Sequence, residues 1–210
     1  AGRRPGPRAN LEGTSVRVVV GDDHDAACVA GWMVGADLVV DAGTPYPLSL
    51  HGGAREADVR TGVARARKII AAAQTQGAAL VLVSSFTTLP RPGGGWDKLR
   101  QAALQGLHRY FDLKRAVELE VQAALRRGLR GCVVNPATCL GPYDLKPRAQ
   151  TFIPLLAAGE VRVLASDTIN AVDVRDVAEI IFAAQAAAFP QAQVPIFGHS
   201  LTVAELAAGG

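Results

Sequence analysis

The chain has 210 residues, 49% of them hydrophobic and 20% charged, with a net charge of +3 and a pI near 9.0. That is an ordinary globular composition, long enough for one domain with a sizeable core. Only four of the 22 cationic residues are lysines. The arginines are scattered, with no basic run interleaved with aromatics, which argues against nucleic-acid binding. No apolar run reaches the roughly 18 residues of a membrane span, and no signal peptide is recognisable. Cys28, Cys132 and Cys139 form no CxxC pair and read as reduced, buried, small apolar residues of a cytoplasmic protein. His24, His51, His108 and His199 show no HxH or HExxH spacing, so no metal site is expected.

In chain order, "VRVVV" (16–20) is a β-branched run that predicts a buried strand, and "ADLVV" (36–40) predicts a second. "VARARKIIAAAQ" (63–74) has helical composition, with Gly77 as its stop. "ALVLV" (79–83) reads as a third strand, followed by a Pro/Gly-rich loop over 89–96. The stretch 109–127 is strongly helical and stops at Gly128, and "GCVV" (131–134) predicts a fourth strand. Downstream, 173–188 predicts a helix capped by Asp173, with Val174, Val177, Ala178, Ile181 and Ala184 on one face. "VPIF" (194–197) predicts another strand, and "LTVAEL" (201–206) a helix opened by Thr202. Strands alternating with helices imply βαβ units and a mostly parallel sheet in one α/β domain.

In such sheets ligands bind beyond the carboxyl ends of the strands. The segments there are "GDDHD" after Val20, "DAGTPYP" after Val40, "SSFTT" after Val83 and "NPATCLGP" after Val134. A hydroxyl of Ser84 or Ser85 at a strand tip can donate to a substrate oxygen, although serines also simply begin loops. Tyr110 and Lys114 are four apart on a helix and share a face. A free phenol, with a pKa near 10, is a poor proton carrier at neutral pH, and a neighbouring ammonium lowers that value. Bringing it to about 7 takes roughly 4 kcal/mol. One lysine at screened distance supplies about a quarter to a half of that. The bland alternative is an amphipathic helix with an exposed lysine and a half-buried tyrosine.

These segments together resemble the extended short-chain dehydrogenase/reductase family, which includes NAD-dependent epimerases and dehydratases, over nearly the whole chain. "VVVGDDHD" resembles the strand whose Asp, here Asp22, contacts adenine. "ADLVVDAGTPYP" resembles the segment whose small residues, here Ala42 and Gly43, pack against the cofactor. "VLVSSF" resembles the strand that delivers the active-site serine, here Ser85 with Thr87 in reserve. "YFDLK" matches the YxxxK signature, which makes Tyr110 the acid/base and Lys114 its partner and a ligand of the nicotinamide ribose. "VVNPATCLGPYDLKP" resembles the loop beside the nicotinamide, with Pro136 at its proline position. "NAVDVRDVAE" and "FGHSLTVAEL" resemble segments of the substrate-binding part. "VNPATCLGPYDLKP" is closer to the dihydroflavonol-reductase-like and hopanoid-associated epimerase-like branches than to the UDP-galactose epimerase branch.

The resemblance implies a Rossmann-like doubly wound parallel sheet spanning 1–210 as one NAD(P)-binding domain, with 136–170 and 190–210 contributing to a small substrate-binding region. It implies NAD or NADP as cofactor and a small-molecule substrate. By analogy with family members that pair through such helices, a homodimer is expected. The implied activity is hydride transfer to or from a carbinol or ketone. The alternatives are a sugar-nucleotide epimerase or dehydratase, and a non-catalytic binding module.

Three departures stand out. Phe86 follows the two serines where the family usually has Ser or Thr. "DVRTGVARA" offers no counterpart to the family's Asn-Val-x-Gly-Thr helix start. No GxGxxG turn precedes the first strand, although such a turn lets a pyrophosphate rest on a helix N-terminus. By resemblance, "RRPGPRANLEG" corresponds to the stretch after the family's second strand. That puts Arg3 or Arg4 near an adenosine 2′-phosphate and suggests an N- and C-terminally truncated fold. A longer parent is then expected to bind NAD(P)H, and the 210-residue segment to bind it poorly and be inactive alone.

Overall fold

The structure, a computed structural model, describes residues 11, 13–44, 55–89, 105–142, 168–202 and 205. In chain order it contains α1 (Ala26–Trp32), β1 (Leu38–Asp41), α2 (Arg55–Gln76), β2 (Ala79–Val83) and a 3-10 turn (Phe86–Thr88). Then come α3 (Gln105–Arg126), β3 (Gly131–Pro136), β4 (Thr138–Leu140), β5 (Thr168–Asp173), α4 (Val174–Ala186), β6 (Gln193–Ile196) and β7 (His199–Thr202). The main sheet has the order β1-β2-β3-β6, with every neighbouring pair parallel. A second sheet has the order β4-β5-β7. The α/β, Rossmann-like class read from the sequence is the observed one.

Both faces of the main sheet are covered, which explains why its central strands are continuous apolar runs. Leu80, Leu82 and Val133 join Val29 of α1, Ile69 and Ala73 of α2, and Leu113, Val117 and Val121 of α3 in one core. Val81, Cys132 and Val134 face the opposite way and pack with Val177 and Ile181 of α4 and Ile196 of β6. The side chains change face at every residue, as the strand period of two requires. Helices α2 and α3 approach closely at Gly62, where an added Cβ would lie 2.3 Å from Leu113 Cδ1. Gly77 and Gly128, with φ of +66° and +99°, stop α2 and α3, taking the left-handed conformation that a side chain disfavours. Asp173 caps α4 through its carboxylate, which accepts from the Arg175 amide at 2.8 Å.

Several expectations are corrected. Residues 16–20 do not form a buried strand: Val16, Val18 and Val20 are 58%, 39% and 48% exposed, and only Val20 makes an isolated bridge. A β-branched run needs a neighbouring ladder to satisfy its backbone and cover its side chains, and a single bridge does not supply one. The buried face of α4 is Val177 and Ile181, with Ile180 and Ala184 packed against them, while Val174 and Ala178 are exposed. The strand read as 194–197 ends at Ile196, and Phe197 is exposed. Residues 201–202 belong to β7, but the Thr202 cap is present: its hydroxyl accepts from the Glu205 amide at 3.1 Å, and the Glu205 carboxylate accepts from the Thr202 amide at 2.7 Å. Of the three cysteines, Cys132 is buried, Cys28 is half-buried and Cys139 is exposed on short β4. No helix among the described residues is long and apolar enough to cross a membrane.

Candidate active site

The carboxyl ends of β1, β2 and β3 lie side by side, because the strands are parallel and adjacent. Beyond β2 come Ser84 and Ser85, both buried. Ser85 caps the 3-10 turn: the Thr87 amide and hydroxyl donate to its Oγ at 3.3 and 2.9 Å. Those contacts use the oxygen as an acceptor and leave the Ser85 proton to give. The side chain of Thr87, the reserve candidate, thus supports Ser85.

Helix α3 places Lys114 against the same strand end. Its Nζ donates to the carbonyl of Val83, the last residue of β2, at 3.0 Å. It lies 6.0 Å from the ring centroid of Tyr110, one turn earlier, at the outer reach of a cation–π contact. The Tyr110 ring is half-buried and meets Phe111 edge-on at 5.8 Å. Lys114 is buried, not exposed as the bland reading of this helix supposed. Desolvation pushes its ammonium down to about 8, opposed chiefly by the nearby Asp41 carboxylate and reinforced by Arg65. The cation therefore sits at the tip of the strand that continues into the two serines.

Pro136 is buried at the end of β3. The preceding Asn135 donates to the Ser85 carbonyl at 3.1 Å, bringing the β3 and β2 tips together. Tyr110, Lys114, Ser85 and Pro136 thus fall on elements that meet at one end of the sheet.

Asp22, Ala42 and Gly43 form a neighbouring group. Asp22 is exposed and accepts from the His24 amide at 3.0 Å. Ala42 and Gly43 are exposed just past β1, where Asp41 accepts from the Gly43 amide at 3.0 Å. A Cβ at Gly43 would lie 2.8 Å from Arg65 Nη2, so the turn admits no side chain without displacing the guanidinium. Arg4 and His51 lie outside the described residues.

Three features escaped the reading of the sequence. Arg65 of α2 is buried and grips Asp41 with two hydrogen bonds of 2.9 and 2.8 Å and Asp23 with one of 2.6 Å. Desolvation works against its charge, but the two carboxylates outweigh that and raise its pKa. The guanidinium thereby ties the loop holding Asp22 to the turn holding Gly43. Asn135 is the second feature. The third is Glu118, fully buried, four residues after Lys114. The regular spacing of Tyr110, Lys114 and Glu118 was the visible sign of it.

NAD suits this end of the sheet in part. Two buried polar atoms, Thr44 Oγ1 just past β1 and Asn135 Oδ1 in β3, have no partner among the described residues, and such atoms usually bind water or a ligand. With the open turn at Ala42–Gly43 and the ammonium of Lys114, they fit the sugar and nicotinamide portion. The sequence contains no GxGxxG turn for the pyrophosphate.

Comparison with known proteins bears on the family and the fold. The curated "Putative dihydroflavonol 4-reductase" of Synechocystis sp. is 32% identical over 174 residues, covering 80% of this chain and 50% of that protein. The crystal structure of gox2253 superposes with a TM-score of 0.74 at 24% identity, over 96% of this chain and 62% of that one. A double mutant of DesIV, a dTDP-glucose 4,6-dehydratase from Streptomyces venezuelae with NAD bound, superposes with a TM-score of 0.71 at 23% identity, over 97% and 66%. The chain thus spans half the length of the curated relative. The sequence model of one family matches residues 2–194, and on that match the chain belongs to the NAD-dependent epimerase/dehydratase family.

Proposed function

We propose that this chain is the NAD(P)-binding and catalytic part of an oxidoreductase that moves a hydride to or from a carbinol or ketone, with Tyr110 as the proton carrier. One observation bears most of the weight: the buried ammonium of Lys114 sits on the Val83 carbonyl, beside Ser84–Ser85 and one turn from the Tyr110 ring. A bound nicotinamide supplies or accepts the hydride. In the reducing direction Tyr110 gives its proton to the substrate oxygen as that oxygen gains charge, and Ser85 donates a hydrogen bond to the same oxygen. Lys114, protonated below about pH 8, stabilises the resulting phenolate. Ala42 and Gly43 leave the β1 end open to the cofactor, Pro136 bounds the nicotinamide side, and Asp22 stands where adenine would lie. Arg4 would meet a 2′-phosphate if the cofactor is NADP. Segments 136–170 and 190–210 supply the substrate side, and the β4-β5-β7 sheet supports that assignment because it draws its strands from both.

A second reading, as a sugar-nucleotide dehydratase or epimerase, uses the same trio and is favoured by the fold shared with DesIV. A third reading is a non-catalytic binding module. The test is an assay of the longer parent expected from the sequence, with NADPH and the dihydroflavonol dihydroquercetin, alongside NAD and dTDP-glucose. Oxidation of NADPH by dihydroquercetin is expected. Turnover of dTDP-glucose alone would select the second reading. No turnover of either, with a cofactor still bound, would leave the binding module.

A further inference from the structure

Glu118 is fully buried, and every described contact of its carboxylate is a donor. Ser84 Oγ (2.6 Å) and Asn135 Nδ2 (3.0 Å) donate to Oε2, which also meets the Thr88 hydroxyl, whose one proton is shared with the Ser85 carbonyl at 2.7 Å. Arg115 Nη1 (3.1 Å), Gln122 Nε2 (3.0 Å) and Gln193 Nε2 (3.1 Å) donate to Oε1. A carboxylate has about four lone-pair sites, so this one is saturated. Its partners come from the tip of β2, the 3-10 turn, β3, β6 and its own helix. Ser84 adjoins Ser85, Thr88 closes the turn that Ser85 caps, and Asn135 adjoins Pro136. Glu118 itself lies one turn beyond Lys114 on the helix that carries Tyr110.

We propose that Glu118 is a positioning residue, a buried acceptor that locks the helix carrying Tyr110 and Lys114 onto the strand tips carrying Ser85 and Pro136. The inference rests on the oxidoreductase reading. A charged residue at the centre of a core is costly unless its partners return the lost hydration, and a surface salt bridge would hold this helix more cheaply. What the buried arrangement adds is geometry, since four of the six groups lie outside α3 and hold it against the β2 tip, the 3-10 turn, β3 and β6. Productive geometry is worth much in rate, because a misplacement of about 1 Å can cost a hundredfold.

The acceptor role is separable from the charge. Glutamine at 118 can offer its oxygen to Ser84, Thr88 and Asn135 while its amino group faces Gln122 and Gln193, whose amides can turn to accept, and Arg115, which cannot accept but at 46% exposure can turn to water. Leucine offers nothing. Glu118→Leu is therefore expected to lower kcat about ten- to a hundredfold with KM within about threefold, and Glu118→Gln to restore most of it. If Glu118→Leu does not fold, the double variant Ser84→Ala/Thr88→Val removes two donors and should reproduce the loss in kcat. In cofactor-free protein the same variants should speed amide exchange of Thr87–Leu89 about tenfold relative to β2. Wild-type kcat in Glu118→Leu or the double variant, a loss confined to KM, a glutamine variant as poor as leucine, or unchanged exchange at Thr87–Leu89 would each overturn the inference. Failure of the oxidoreductase reading is recognised separately: Tyr110→Phe would then leave the rate untouched.

Discussion

At the scale of the residue, the burial of Lys114 runs against stability and for chemistry. The residue is 8% exposed, and its ammonium is held at about pKa 8 against an ordinary 10.5, mainly by desolvation. Below pH 8 both the folded and unfolded states keep the proton, and the folded state bears the whole cost of burying the charge, roughly 3 kcal/mol. Between pH 8 and 10.5 the unfolded chain holds more protons, so this cost is relieved as pH rises through that window. Lys114→Met is therefore expected to be inactive yet more stable than the wild type at pH 7, with the difference shrinking by pH 10. Urea titrations at the two pH values measure it, and a less stable variant at pH 7 contradicts it. The YxxxK spacing was legible in the sequence, and so were the strand-tip serines. The buried partners were not. Asp41, Arg65, Glu118 and Asn135 are polar residues of kinds usually found at surfaces; only the spacing of Glu118 after Lys114 hinted at one of them, and nothing local marks Arg65 as Asp41's partner or Asn135 as Glu118's.

At the scale of the element, α2 and α3 set the depth at which Tyr110 and Lys114 sit. Their contact runs through Ala66, Ile69, Ala73, Leu113, Val117 and Val121, and Gly62 is its tightest point. Gly62→Ala would place a methyl group 2.3 Å from Leu113 Cδ1, with Val117 Cγ2 behind it at 3.5 Å. Leu113 is itself 1% exposed and has little room to retreat. Overpacking of this kind costs about 1–3 kcal/mol, against the usual gain of about 1 kcal/mol for Gly→Ala within a helix. A net loss of stability with an unchanged urea m-value is expected, and a stabilised variant would mean that the helices stand further apart than described. The ends of α2 and α3 and the start of α4 were legible because Gly77, Gly128 and Asp173 each have a direct backbone role, whereas α2 and α3 begin earlier than read, at Arg55 and Gln105, and α1 was not foreseen. The face of α4 was only half legible, since the Val174–Ala178 and Val177–Ile181 rows are both apolar and tertiary packing alone chooses between them.

At the scale of the molecule, the sheet is what brings residues 41, 85, 114 and 136 to one end. Its two central strands were visible because they are covered on both faces and read as unbroken apolar runs. The same signal misled at 16–20, where a β-branched run forms only one isolated bridge and stays exposed. Strands β4, β5 and β7 went unseen because "TCL", "TINAVD" and "HSLT" are half-exposed and polar, and long-range pairing is what makes them strands. The family resemblance carried the cofactor and the acid/base further than periodicity could. The central proposal is that Lys114, at the tip of β2, and Tyr110, one helical turn away, form the proton-transfer device. The most direct test is the turnover rate of Tyr110→Phe against the wild type on the substrate that proves active, under saturating cofactor. A loss of about two to four orders of magnitude is predicted, and a rate equal to that of the wild type would contradict the account.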